Sequence, residues 1–529
     1  MRILPATLLT ALVALGQHHE MKPPVENPVV LYKGLGTWRH AISTKSPEAQ
    51  KFFDQGLSLL YGFNRYEALR SFQKASQLDP AAAMPYWGIA ASQGPYINMD
   101  GDTSVNFKNA CEAWQAGTKA AIAVPERERD YLQAIASWCP EFRPQDYIQA
   151  TKALAAKWPD DLDAQTLYAE ALMIPSRWKW YGPDGRAADG MPEAERVLEA
   201  VLRRWPEHPG ANHYYIHAVE SSPNPERAIP SAQRLMGIVP AAGHMVHMPA
   251  HIWLVMGDYE LAAELNERAS AVDREYSAAT NVKLGSYTGY YLHNMHFALY
   301  ARSMQGHRAQ ALQAAAAISS EIDSMVDAMP ELSDAFLTQV IFARVRVQAW
   351  DEVLKMPAPS EKLPLAKTMQ RYGRTLAQLA KGNGAEAAKE RALFEHLASK
   401  IPLDSPYGQN KLGDALKIAR EVLAARMGED SLAHWRKAVE LQDGLVYDEP
   451  PAWYYPIRES LGAELVRAGK AAEGEKVLRE GLRRSPRNGF MLFGLMESLK
   501  AQGKDFAEVQ REFEAVWSKS DLPLSLAIL

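Results

Sequence analysis

Half of the chain's 14 histidines fall between positions 213 and 296. They are His213, His217, His244, His247, His251, His293 and His296, and their spacing matters more than their number. The pair His213/His217 recurs 34 residues later as His247/His251, and His244/His247 recurs 49 residues later as His293/His296. Residues three or four apart share a helix face, so each pair presents two imidazoles to one side. Imidazole nitrogen binds first-row metals at about 2.0–2.1 Å. Helices packed about 8–10 Å apart let rings on neighbouring helices share an ion. The pattern implies a multi-histidine transition-metal site for one or two ions. Oxygen-poor surroundings disfavour magnesium and calcium. Interleaved Met245, Met248 and Met295, with an exported location, lean slightly to copper, and zinc and iron stay open. Glu220, one turn beyond His217, and Tyr300 are the candidate catalytic groups. Glu220 could be a ligand, a partner bonded to a ligand, or a general base. Tyr214, Tyr215, Tyr287, Tyr290 and Tyr291 lie on the same stretches.

The elements that must position these rings are signalled by prolines. Pro125 to Pro159 and Pro206 to Pro240 are each 34 residues, and the longer intervals between Pro80, Pro125, Pro159 and Pro206 are that period plus insertions. A 34-residue period closed by proline is the tetratricopeptide (TPR) signature of two antiparallel helices per repeat. Within Ser46–Pro80, Gly56, Ala68, Phe72 and Ala75 fall at its small and aromatic positions, and Ser46-Pro47-Glu48 makes a helix start. Met256–Glu260 and Ala468–Ala472 read as turns between paired helices. The expected fold is all-α, a right-handed superhelical solenoid of about twelve TPR-like hairpins from Ser46 to Ser518, without strands. Matching Gly257 to Gly306 puts His213, His247 and His296 in one row across three first helices. His217, His251 and Tyr300 form a second row, and His244 and His293 a partial third, all facing the concave groove.

The expected organisation is a signal peptide over 1–16, an extended leader over 17–45, and repeats with loop insertions over 46–206. Central His-rich repeats cover 207–320, and further repeats with a cap cover 321–529. Insertions are expected at Gly94–Asn106, Ser176–Gly190 and Asp273–Gly285. The second carries Trp178, Trp180 and Tyr181 and reads equally as a functional flap or as a surface loop folded on its own aromatics. Across 529 residues, hydrophobic residues make 47% and charged residues 23%, which excludes global disorder. Lys+Arg 58 against Asp+Glu 63 leaves no basic excess for nucleic acid. No mature segment is apolar enough to span a membrane. Cys111 and Cys139 are too few for a cysteine-rich metal site; a disulfide and two buried thiols are both open. His40 is read as a capping or surface residue, although the leader could bring it over the groove. His18 and His19 adjoin the cleavage point. Glu449, Trp453, Tyr454, Tyr455 and Arg458 read as a helix start rather than a ligand contact.

Thr44 to Gly56, Ala83 to Gly88, His244 to His251 and Tyr447 to Arg458 resemble a bacterial family of exported tetratricopeptide proteins, over most of the chain. The resemblance implies the helical-repeat fold. Three functions are carried. The first is an exported, periplasmic or extracellular metalloprotein, with oxidase, hydrolase and metal-carrier roles open. The second is a metal-free scaffold that holds a small molecule, peptide or protein partner in the same groove. The third, a glycan-cleaving enzyme, lacks a convincing carboxylate pair. Arg2, the apolar run Ile3–Leu15 and the small residues Ala14 and Gly16 predict cleavage after residue 16. Mass spectrometry of the exported protein should find residues 1–16 removed; a retained Met1 contradicts this.

Overall fold

The computed structural model describes residues 27–100, 102, 104–282 and 287–529. The expected signal segment, His18 and His19 lie outside them, as does part of the first and third expected insertions. The chain is a succession of paired α-helices. A two-residue ribbon, Pro406–Tyr407 against Asn410–Lys411, is the only strand pairing among the described residues apart from an isolated bridge at Tyr181 and Ala187.

The first hairpin shows why the period works. Helix Pro47–Tyr61 starts where the Ser46 hydroxyl accepts the Ala49 amide at 3.1 Å, with proline at its first turn. Its partner Arg65–Leu78 is capped by the side chain of Asn64. Phe72, fully buried, wedges between Gly56 and Gly88. A Cβ on either glycine would lie 2.7 or 2.3 Å from its ring. Leu478 repeats the device between Gly462 and Gly494, where added Cβ atoms would approach to 2.5 and 3.2 Å. The small residues are small because the neighbouring helix's anchor occupies their space. Between paired helices, Gly257 (φ +77) and Gly469 (φ +75) take the left-handed turn that other residues resist.

Residues 27–45 form no helix or strand and cross helix Pro47–Tyr61 on a polar ladder. Tyr32 donates its amide to the Gln55 side chain at 2.8 Å, and Ile42 donates to that of Gln50 at 3.0 Å. Farther on, Gly34 accepts from the Ala241 amide at 3.0 Å, joining the leader to the central repeats. The Cys111–Cys139 question resolves as a disulfide, with Cα atoms 5.9 Å apart.

Two expectations are corrected. The insertion beginning at Asp273 is helical through Thr280, as part of the 22-residue helix Tyr259–Thr280. The helix expected to carry His244, His247 and His251 is interrupted at Met248, between Gly243–His247 and Pro249–Val255, although Met248 keeps helical angles and donates to the His244 carbonyl at 3.0 Å. Pro249 has no amide hydrogen, and its ring collides with the preceding turn.

The C-terminal repeats fold back onto the turns of the central ones. Gly257 lies against Pro486 and Gly306 against Trp517. The buried Arg346 guanidinium grips Glu459 at 2.6 and 2.9 Å. Among the described residues, no helix is long and apolar enough to cross a membrane.

Phe72→Ala should cost about 3–5 kcal/mol, because it empties a wedge held on two sides by glycines that cannot refill it. Chemical denaturation against wild type measures this; a loss below about 1 kcal/mol would contradict the wedge role.

Candidate metal centre

Six imidazoles converge. Helix Pro209–Glu220 supplies His213 and His217, the two short helices supply His244, His247 and His251, and Thr288–Met304 supplies His293. They form two trios, His213/His217/His244 and His247/His251/His293, within each of which one ring nitrogen per residue lies within 4.8 Å of the others. A third group, His217, Glu220 and His251, joins them. His213, His217 and His247 are 0% exposed and His244 and His251 2%, whereas His293 keeps partial exposure at the edge.

Four of the six Nδ1 atoms are tied down, and that of His244 has no hydrogen-bond partner. His213 Nδ1 donates to the Tyr61 carbonyl at 2.5 Å, an acceptor with no alternative role. His247 Nδ1 meets Asn266 Oδ1 at 2.6 Å, and the Asn266 amide nitrogen donates to the Ala262 carbonyl at 2.7 Å, which orients the amide. His217 Nδ1 lies 2.8 Å from one Glu220 oxygen, and His251 Nδ1 lies 2.5 Å from the other. Glu449 also closes on His251 Nδ1.

With Nδ1 donating, Nε2 carries the lone pair. His247 Nε2 and His251 Nε2 nevertheless face each other at 2.6 Å, whereas His244, its Nδ1 free, can donate Nε2–H to His213 Nε2 at 3.2 Å. His217 Nε2 has no hydrogen-bond partner. Two bare lone pairs cannot face each other at 2.6 Å, so this pair shares a proton or lies on a cation. Burial and neighbouring imidazoles hold His247, His217 and His244 well below the usual imidazole range, which favours the neutral, metal-binding form of those three rings. Burial, with His251 nearby and against the Tyr61 hydrogen bond, takes His213 down to about 3.

Aromatic rings wall the cluster. Phe297 lies 4.7 Å from the His247 ring and 5.0 Å from His251. Phe63 lies 4.5 Å from His213 and 5.0 Å from His244, and Trp178 lies 5.4 Å from His217. Phe63 (φ +56) and Trp178 (φ +62) both hold left-handed backbone, strained for bulky side chains. Each spends that strain to put a ring on the histidines. The aromatic loop at 176–190 thus packs against His217, while Trp180 is buried and donates to the Met173 carbonyl at 3.0 Å.

Two expected members lie elsewhere. His296 does not join a row with His213 and His247; it faces Phe336, ring to ring at 5.9 Å, and Gln339. His293, three residues earlier, takes the place. Tyr300 packs among Ala250, Leu254 and Tyr259, with Arg346 and Glu459 as its charged neighbours. Glu220 is inside the site, as a carboxylate holding two Nδ1 atoms. Burial and the adjacent Glu449 push its pKa well above the usual carboxylate range. Against burial, His251 and hydrogen bonds from Glu220 and Tyr447 pull Glu449 down to about 2. Glu449 and Asn266 were not anticipated as site residues. The only sequence signal for Glu449 is an acid set between a tyrosine and two prolines.

His40 is buried rather than superficial. Its Nδ1 lies 2.7 Å from Asp163, which also accepts from Tyr61 at 2.6 Å and Trp38 at 3.1 Å. His208 Nε2 stands 3.3 Å from the same carboxylate. Asp163 is thereby satisfied by protein donors, and the arrangement anchors the leader.

This architecture defines a tetratricopeptide-type helical-repeat solenoid with an imidazole cluster buried in its central repeats. No family model matches the chain, and no curated protein matches it. Among solved structures it is similar to a human IFIT1 dimer with m7Gppp-AAAA, at 13% identity over 91% of this chain and 92% of that one, TM-score 0.30. It is similar to yeast Tom70 at 12% identity over 89% and 91%, TM-score 0.32. It is also similar to the P58(IPK) TPR domain at 11% over 86% and 98%, TM-score 0.21.

The leader anchor should depend on pH. Burial alone would lower the His40 pKa, but Asp163 overrides it and raises the value. That contribution is full below about pH 6.5 and is lost as pH rises through the raised value. Burial alone would raise Asp163, but His208 and His40 hold it far below 3.8, so its contribution is present above 3.8 and lost as pH falls further. Amide protection factors over residues 30–45 should be highest between about pH 4 and 6.5 and decline in alkali. In His40→Gln the alkaline decline should vanish. Protection unchanged from pH 6 to 9 in wild type would refute the anchor's ionic character.

Proposed function

We propose that this is an exported metalloprotein whose central repeats hold one or two transition-metal ions on six imidazoles. The opposed Nε2 atoms of His247 and His251, both with Nδ1 committed elsewhere, are the observation that carries the reading. A tetrahedral ion with nitrogens at about 2.0–2.1 Å sets ligands about 3.3 Å apart, between the 2.6 Å of that pair and the 4.8 Å span of each trio. Two trios suit two ions. An all-imidazole first set favours copper, zinc or iron over magnesium and calcium, and copper leads for an exported protein. Oxidase, hydrolase and carrier roles all remain within this reading. Whatever exchanges with the ions would enter at the partly exposed His293 edge. The same fold suits interaction with a peptide or protein partner on its outer surfaces, but burial of the imidazoles does not support a peptide lying against them.

His247 stands between the trios, its ring 5.5 Å from His244, 4.5 Å from His251 and 4.9 Å from His293. His247→Ala should therefore be the most damaging single substitution, weakening metal affinity at least the 10–100-fold that loss of a supporting partner costs. Elemental analysis and melting temperature, with and without chelator, for untagged wild type and variant form the test. A wild type without stoichiometric metal, unmoved by chelator, would sink the proposal.

A further inference from the structure

All six imidazoles come from the central repeats, yet one group touching them arrives from far along the chain. Glu449, its side chain 4% exposed, closes on His251 Nδ1, pairs with Glu220 and accepts from the Tyr447 hydroxyl. It is carried by a strap, residues 446–456, that has its own supports. Asn410 exchanges hydrogen bonds with Val446, donating to its carbonyl at 3.0 Å and accepting from its amide at 2.8 Å. Asp448 accepts from the Gln409 amide at 2.9 Å. Trp453, almost wholly buried, packs its ring 5.3 Å from Phe342 and 5.8 Å from Tyr372. The strap thus belongs to the C-terminal core, and Glu449 is the finger it lays on the centre.

Among the described residues, the partners of Glu220 and Glu449 are imidazoles, a phenol and each other, with no lysine or arginine. Buried negative charge is costly unless positive charge is near, and the group Glu449 lies against is His251. A cation on the far side of that ring would add positive charge there. A carboxylate on the remote nitrogen in turn fixes the tautomer and makes the facing nitrogen a better ligand.

We infer that Glu449 is a positioning residue of the metal centre, so that ion binding and docking of the C-terminal strap onto the central repeats are coupled. The inference rests on the metal reading above. Coupling between two binding events is reciprocal: whatever factor the docked strap adds to ion affinity, the ion adds to docking.

The test titrates the full mature chain with Zn²⁺, and with Co²⁺ for its absorption spectrum, beside Glu449→Gln and Glu449→Asp. The Gln variant should bind about 10–100-fold more weakly with a shifted Co²⁺ spectrum, and the Asp variant should recover part of both. Zn²⁺ should slow hydrogen exchange over residues 446–456 in wild type and not in Glu449→Gln. Should that variant fail to fold, Tyr447→Phe, which removes the phenol holding Glu449, should still lower affinity several-fold. Unchanged affinity and spectrum in the folded variant overturn the inference and leave the centre standing. A wild type that takes up no stoichiometric ion overturns both.

Discussion

The structure turns on one constraint: a buried imidazole that carries its proton on Nδ1 must have that proton accepted by protein. Each such acceptor fixes a ring plane and turns Nε2 inward as a lone pair. Tyr61, Glu220, Asn266 and Glu449 make this provision from four separate places in the chain. The repeats must therefore bring Pro47–Tyr61, Pro209–Glu220, Tyr259–Thr280 and the strap to one point. The solenoid's regular packing by Phe72 and Leu478 against glycines gives the stiffness that this convergence needs. The strained Phe63 and Trp178 backbones are where regularity yields to the centre.

What is local was legible. The 34-residue proline period, the glycine–phenylalanine wedge and the Ser46 cap all act within or between adjacent helices, so sequence spacing carries them directly. The grouping of His213, His217, His244, His247, His251 and His293 follows from the same period. The row containing His296 fails for a local reason as well. Extrapolating from Gly257 to Gly306 assumes an unbroken helix before each turn, and Pro249 breaks the first. On the next helix it is His293, with Phe297 one turn on, that meets His247.

What is long-range was not legible. Glu449 joins the site through a fold-back of the C-terminal repeats, which leaves no periodic trace. His40 reads as superficial until Asp163, Tyr61 and Trp38 are seen to enclose it. A loop such as Ser176–Gly190 shows its aromatics in sequence but not which ring they cover.

Tyr61 places two demands on one residue. Its hydroxyl serves Asp163 in the leader anchor, while its main-chain oxygen holds His213. A main-chain atom survives any side-chain replacement, so the His213 end of the centre is genetically robust: drift at position 61 can loosen the leader without releasing the ring. The His251 end has no such insurance, because Asn266, Glu220 and Glu449 act through side chains that single base changes can replace. Divergence in the geometry of the imidazole cluster should accumulate at that end, with His213 as the inherited fixed point.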